Sequence, residues 1–208
     1  TDYGAFCAVS VLIVTASFMA WGRASVIAAD LDGSRSIAYE LTLPVTYQLV
    51  YLKHVLFIAC RSSIFSLASM LVAKLLLFST FDLSQASLLR FILIYLVATL
   101  FFGFFTMWAA MRAGSVDRVF QIERRLAGPL FFVCGYTFPW QTLYKVSPPV
   151  AYCLLISPWI YIYEGTRAAV LGQDGFINYW ACVVALLVFC VLLGLHGLSV
   201  FKRRLDCV

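Results

Sequence analysis

Long apolar runs alternate with short polar stretches along the whole chain. Several of these runs reach the length of about 20 residues that a helix needs to cross the hydrocarbon core of a bilayer. The predicted spans are 3–22, 47–79, 88–111 and 178–201. The pattern therefore predicts an all-α, polytopic membrane protein that forms a single transmembrane domain over residues 1–208.

The segment from Leu126 to Leu171 is also apolar, but prolines and glycines interrupt it repeatedly. Proline removes a backbone donor and ends or kinks a helix. We expect a further crossing over 126–138, followed by an external re-entrant pair of short helices over 139–171. Irregular backbone at membrane depth is tolerated only where protein or a water-filled cavity covers it. This segment is therefore the first place to look for function.

The composition agrees with a membrane protein. The chain is 63% hydrophobic and 12% charged, with a mean hydropathy of +0.94, whereas a soluble domain is about half apolar and about a quarter charged. Its cysteines are scattered without a C-x-x-C pair, which indicates inert buried thiols.

The distribution of basic residues predicts the orientation. With five crossings, ten of the fifteen Lys and Arg fall on one side of the membrane: Arg23, Arg35, Lys53, Arg112, Arg118, Arg124, Arg125, Lys202, Arg203 and Arg204. Loops rich in Lys and Arg are usually cytoplasmic, so we expect a cytoplasmic C-terminus. An additional helix upstream of Thr1 would bring both ends of the protein to the cytosol.

Common catalytic and nucleotide-binding motifs are missing from the sequence. The chain has no P-loop, no H-E-x-x-H, no G-x-S-x-G and no metal-spaced Cys/His cluster. His196, inside the last span, could bond a neighbouring helix or act as a ligand. We therefore expect no enzyme activity, no cofactor and no metal in this chain, and no nucleic-acid partner.

The first cytoplasmic loop, segment 30–45, reads "DLDGSRSIAYELTLPV". Its acidic and glycine-containing start predicts a turn and a helix start, followed by a short amphipathic helix that Pro44 ends or bends. Such a helix can lie at the membrane interface or dock into the groove of a soluble partner, and the spacing favours neither. The candidate residues are Asp30, Asp32, Gly33, Tyr39, Glu40, Leu43 and Pro44.

Arg61 lies about two helical turns beyond Lys53, inside the second span. A charge at that depth must snorkel to the headgroups or face protein or water. Both an anchoring role and a role in lining or gating a pathway stay open.

The stretch "ISPWIYIYEGTRAAVL", Ile156 to Leu171, combines an acid, a base and aromatic residues. Glu164 and Arg167 are three residues apart and can pair on one helix face, while Ser157 and Pro158 suit a helix start. Aromatic residues surround the pair: Trp140, Tyr144, Tyr152, Trp159, Tyr161 and Tyr163. They could form an interfacial girdle at the outer leaflet or a stacking surface for a sugar or amphipathic substrate.

Three landmarks in this order resemble the type-2 ABC export permeases. The loop of that family, E-x-x-x-G-x-L-E-x-L-x-x-T-P-V before a span with a Lys, is similar to the stretch with Glu40, Leu41, Leu43, Pro44, Val45 and Lys53, and Arg61 is placed as in many members. The late motif N-P-L-T-Y-x-x-E-G-x-R is similar to Ser157, Pro158, Trp159, Tyr163, Glu164, Gly165 and Arg167. The basic tail "VFKRRLDCV" fits as well. Ser157 replaces the common Asn, and Gly33 lies about two residues further from Pro44 than usual in the family.

The resemblance implies a mechanism. Two permease copies would pair in the cell (inner or plasma) membrane above two separate ABC ATPase subunits, which would carry ATP and Mg. The family has six crossings, so the first would precede this chain. Segment 30–45 would be the coupling helix seated in the ATPase. Segment 139–171 would cap the exit, with Glu164 and Arg167 holding the gate.

Alternatives remain at this point. Within the resemblance, export of a glycan or glycolipid is preferred to export of a drug or a haem-type compound, on the aromatic density near the exit. Outside it, the chain could be a membrane scaffold without an ATPase, or an integral membrane enzyme acting on lipid or glycan.

Overall fold

The computed structural model describes residues 3–76 and 86–205, which form helices joined by turns, with no strand among them. Four helices are long and apolar enough to cross a membrane. They are α1 (Tyr3–Asp32), α3 (Tyr47–Leu76), α4 (Leu88–Ala113) and α10 (Tyr179–Leu205). The predicted all-α class is confirmed for these residues, and the four helices indicate a membrane protein.

The remaining helices are shorter. They are α2 (Ser36–Glu40), α5 (Val116–Ile122), α6 (Gly128–Phe131), α7 (Trp140–Val146), α8 (Pro148–Leu154) and α9 (Pro158–Val170). Two π-helical stretches, Glu123–Ala127 and Phe132–Tyr136, flank α6. Together α5, α6 and these stretches form one helical run, called here the composite helix (residues 116–136).

The long helices run past most of the predicted ends. α1 continues from the predicted end at residue 22 to Asp32, so Arg23 and Asp30 lie in this helix and not in a loop. A helix of 30 residues is about 45 Å long, whereas the hydrocarbon core is about 30 Å thick. Residues 77–79 of the second predicted span lie outside the described residues.

The predicted crossing over 126–138 corresponds for most of its length to the end of the composite helix. The composite helix begins at Val116 and carries Glu123, Arg124 and Arg125 within it. These charges led the sequence pattern to place the start too late. The helix ends where Cys134 and Gly135 leave helical geometry, Gly135 with φ 106°.

Helix α4 lies at the centre of the bundle, packed against α1, α3, α9 and α10. It approaches α3 closely at Gly103, where a Cβ would lie 2.7 Å from the carbonyl oxygen of Val55. The hydroxyl of Tyr95 on α4 donates to the carbonyl of Ser63 on α3 at 2.9 Å and also pairs with Ser66. Small residues and interhelical hydrogen bonds are what bring membrane helices together.

Two ends of the bundle can be distinguished. At one end, called here the α2 end, Arg204 of α10 donates to the carbonyls of Met111 and Gly114 where α4 finishes. At the other, called the hairpin end after the helices of residues 139–171, Tyr179 where α10 starts donates to the carbonyl of Arg90 where α4 starts, at 2.8 Å.

Candidate functional sites

The hairpin (residues 139–171) consists of α7, α8 and α9. The carbonyl of Ala169 accepts a hydrogen bond from the backbone N–H of Ser87 at the hairpin end. The ring of Trp159, at the other end of α9, packs edge-on against Phe101 and Phe105 near the middle of α4, with centroid distances of 5.4 and 4.9 Å. Helix α9 therefore begins about halfway along the bundle and returns to the hairpin end.

Glu164 joins three parts of the hairpin end. Its carboxylate is fully buried and accepts hydrogen bonds from the backbone N–H groups of Trp140 (3.0 Å) and Ile177 (3.1 Å). Trp140 is the first residue of α7, and Ile177 lies just before α10. One side chain of α9 thus satisfies donors at the starts of both neighbouring segments.

Arg167 ties α9 to a different part of the fold. Its buried guanidinium donates from Nη2 to Ser10 Oγ of α1 at 2.5 Å and to the carbonyl of Tyr136 at 2.9 Å. It also lies 3.6 Å from the ring centroid of Phe6, a cation–π contact. Ser10 stands 22 residues before Asp32 on α1, which is about 33 Å along a helix, so Asp32 and the Glu164–Arg167 site lie at opposite ends of the bundle.

The predicted pairing of Glu164 with Arg167 exists, but it is long. Nη1 of Arg167 lies 3.9 Å from Oε1 of Glu164, without a hydrogen bond. Both residues lie outside the four long helices. Burial raises the pKa of Glu164, an effect that its two backbone donors and Arg167 oppose. Burial also lowers the pKa of Arg167 to about 10, so the guanidinium stays charged at neutral pH.

The aromatic residues do not form one belt. Trp159 and Tyr163 are buried, because α9 lies between α1, α4, α10 and the composite helix. Tyr161 is half-buried and donates to the carbonyl of Leu155 at 2.7 Å. The three aromatic residues before α9 form a separate cluster, with ring centroid distances of 5.1 to 6.4 Å: Trp140, Tyr144 and Tyr152.

At the α2 end, Asp30 organises the turn into α2. Its carboxylate accepts hydrogen bonds from Ser34 Oγ (2.6 Å) and from the backbone N–H groups of Ser36 (2.9 Å) and Ile37 (3.0 Å). The turn itself closes with the N–H of Gly33 on the carbonyl of Ala29. The sequence predicted a turn and helix start here, and the structure shows that Asp30 is its cap, acting from the last turn of α1.

The predicted amphipathic helix is shorter than expected. It ends at Glu40, so Pro44 lies in the following turn and does not terminate it. Glu40 is turned towards α3, where its carboxylate pairs with Lys53 Nζ at 2.6 Å and lies 3.4 Å from His54 Nε2.

Several apolar side chains of segment 30–45 remain outside. Tyr39 is 69% exposed, Leu43 47% and Val45 45%. These three residues are called here the α2 knob. Asp32 and Pro44, predicted with them, are also exposed.

No known family, curated protein or solved structure matches the chain. Its function must therefore be argued from its own geometry.

Arg61 and Arg23 each lie beside an aromatic ring of α3. Its guanidinium carbon lies 5.9 Å from the ring centroid of Phe65, and that of Arg23 on α1 lies 5.2 Å from the ring centroid of Phe57. Neither arginine forms an ion pair within residues 3–76 and 86–205.

Ser10 and Tyr136 are site residues that sequence reasoning missed. Ser10 is 157 residues from Arg167 along the chain, and nothing in its local pattern marks it as a partner. Among the residues the structure describes, no group of three or more His, Cys, Asp or Glu could hold a metal ion.

Proposed function

We propose that this chain is the transmembrane permease subunit of an ATP-driven ABC exporter that moves a glycan, a glycolipid or another amphipathic substrate out of the cytoplasm. In this proposal two copies form the translocation path and two separate ATPase subunits, carrying ATP and Mg, bind on the cytoplasmic side. The observation that most supports this proposal is that two specialised elements, the α2 knob and the hairpin, lie at opposite ends of one bundle.

The α2 knob has the properties of a docking element. Helix α2 is attached by the Asp30 cap on one side and by the Glu40–Lys53 pair on the other. A short segment that is fixed at both ends can transmit force to the helices it joins, α1 and α3. Its exposed apolar side chains offer the contacts that a soluble ATPase would cover.

The hairpin has the properties of a gate. Its α9 reaches halfway into the bundle, where α1, α4, α10 and the composite helix pack around it. In the proposal the composite helix is a fifth crossing, the hairpin is re-entrant from outside, and the C-terminus is cytoplasmic in the cell membrane. The Trp140–Tyr144–Tyr152 cluster would face the departing substrate.

The α2 knob is the part to test. We expect Tyr39→Ala with Leu43→Ala to reduce, by about tenfold or more, the vanadate-sensitive ATP hydrolysis that co-purifies with the tagged chain from its native membrane, because two anchor contacts of about 1–2 kcal/mol each are lost. Phe120→Ala is the control, since Phe120 on α5 is an exposed aromatic residue near the same end.

Full ATP hydrolysis in the double variant would contradict the coupling role. If no such ATP hydrolysis co-purifies with the unaltered, folded chain, the exporter proposal is wrong and the membrane scaffold becomes the preferred function. A drug or haem-type substrate would leave this result unchanged, and transport assays with each class separate those readings.

A further inference from the structure

A cavity of about 340 Å³ opens between α4 and α10 at the α2 end of the bundle. Neither the α2 knob nor the hairpin contributes to it. Its lining includes Met111, Arg112, His196, Ser199, Arg203 and Arg204. Three arginines around one cavity, with no acidic residue among the described residues that line it, make a strongly cationic site.

One wall of the cavity is fixed by Arg204. Its guanidinium donates to the carbonyls of Met111 (2.6 Å) and Gly114 (3.0 Å), which are left free where α4 ends. Gly114 has φ 76°, and a Cβ there would lie 2.7 Å from Arg204 Nη1. Glycine at this position therefore lets α10 seal the end of α4.

The other two arginines of the lining differ from Arg204. Arg112 and Arg203 are exposed, and neither forms a hydrogen bond or an ion pair with another residue in the described part of the chain. Both belong to the lining of the same cavity. Two exposed guanidinium groups on one cavity match the oxygen atoms of a phosphate.

The cavity also reaches towards the apolar part of the bundle. His196 precedes Arg204 by eight residues, which corresponds to about 12 Å along α10. Its ring centroid lies 6.4 Å from that of Trp108. The cavity is thus lined by arginines at the end of the bundle and by His196, beside an aromatic ring, further in. This order of charged and less charged groups matches a lipid with an anionic head.

We propose that this cavity binds an anionic phospholipid of the membrane leaflet at the α2 end. Arg112 and Arg203 hold the phosphate, and the glycerol backbone that carries the acyl chains lies towards His196. Basic pockets between membrane helices on the cytoplasmic side are suited to such head groups. The site is argued from this cavity alone, so it stands or falls independently of the proposed transport function.

The test is native mass spectrometry of the purified full chain with phosphatidylglycerol and, separately, with phosphatidylcholine. We expect Arg112→Gln with Arg203→Gln to weaken one-to-one phosphatidylglycerol binding about tenfold or more and to leave phosphatidylcholine unchanged, since each basic residue contributes about a fivefold change. The matched control is Arg118→Gln with Arg124→Gln, which removes equal charge from exposed residues of the composite helix outside the lining.

A second variant keeps the charge and alters the space. His196→Phe places a larger apolar ring in the cavity, and we expect it to weaken phosphatidylglycerol binding with both arginines present. Equal weakening by the control pair would overturn the proposal, because it would show unspecific attraction. Displacement of the lipid by inorganic phosphate at low millimolar concentration would also overturn it in favour of a free-phosphate site.

Discussion

Glu164 and Arg167 show how a buried charge can be retained in an apolar bundle. Each is completely buried, and each is held mainly by groups other than its partner: backbone N–H groups for the acid, a hydroxyl, a carbonyl and a ring for the base. Burying a charge is unfavourable unless hydrogen bonds compensate. Their contribution is therefore positional, because together they attach α9 to α1, to α7 and to the segment before α10.

Removing the charge of Glu164 tests this role at the residue scale. Glu164→Gln places an amide NH₂ against one of the two backbone donors and leaves Arg167 without its nearest anion. We expect the folded state to lose about 3 kcal/mol, measured as a lower melting temperature of the purified protein.

Asp174→Asn is the matched control, since Asp174 is an exposed acid near the same end, and a change of less than about 0.5 kcal/mol is expected there. Equal melting temperatures for both variants would show that the hydrogen bonds of Glu164 do not hold the hairpin.

At the scale of elements, the structure depends on how closely α4 can approach its neighbours. α4 packs mainly against α1, α3, α9 and α10, and two of its contacts with α3 are specific: the glycine at 103 and the hydroxyl of Tyr95. Between helices in lipid, where apolar surface alone gives little preference for a partner, such close packing and hydrogen bonding carry the association.

A methyl group at residue 103 should separate α3 from α4. In Gly103→Ala the new Cβ would meet the carbonyl oxygen of Val55 at 2.7 Å, and because that atom belongs to the backbone the helices must shift. We expect a loss of about 1–3 kcal/mol, measured by thermal unfolding in detergent.

Gly22→Ala is the control within the same fold. A Cβ at Gly22 of α1 meets no atom within 4 Å, and alanine favours a helix by up to about 1 kcal/mol over glycine. Its stability should be unchanged or slightly higher. An equal loss in the two variants would mean that the effect does not come from the α3–α4 contact.

At the scale of the whole molecule, the important property is that the two ends of the bundle differ. The Asp30 turn, the α2 knob and the cationic cavity lie at one end, and the hairpin with Glu164 lies at the other. In the proposed topology the first end, which carries most of the basic residues, is the cytoplasmic one. This arrangement is what makes transport between the two ends a reasonable proposal.

The side of the membrane on which each end lies can be determined by labelling cysteines with a membrane-impermeant maleimide. In a chain whose native cysteines are replaced by serine, Lys145→Cys in the hairpin should react in intact cells, and Asp32→Cys should react only after permeabilisation. Both residues are exposed, so access of the reagent depends on the side of the membrane. Reaction of both from the same side would overturn the proposed topology and the exporter mechanism with it.

The class of the protein could be read from local pattern. Apolar runs of membrane length require a helix to satisfy their backbone groups in lipid, and the four longest of them are helices in the structure. The same holds for the turn at Asp30, because its cap uses neighbouring residues. These features depend on interactions within a few helical turns, which sequence spacing reports directly.

The details of the sites came from packing between distant segments. Which helices become neighbours decides the partners of Arg167 and the burial of Trp159 and Tyr163. It also decides which arginines surround the α4–α10 cavity and where the composite helix starts. The position of a residue in the sequence pattern predicts which face of a helix it occupies, but not which residues cover that face. Charges such as Arg124 are tolerated in a helix when they can reach water or headgroups, and only the folded arrangement determines where that is possible.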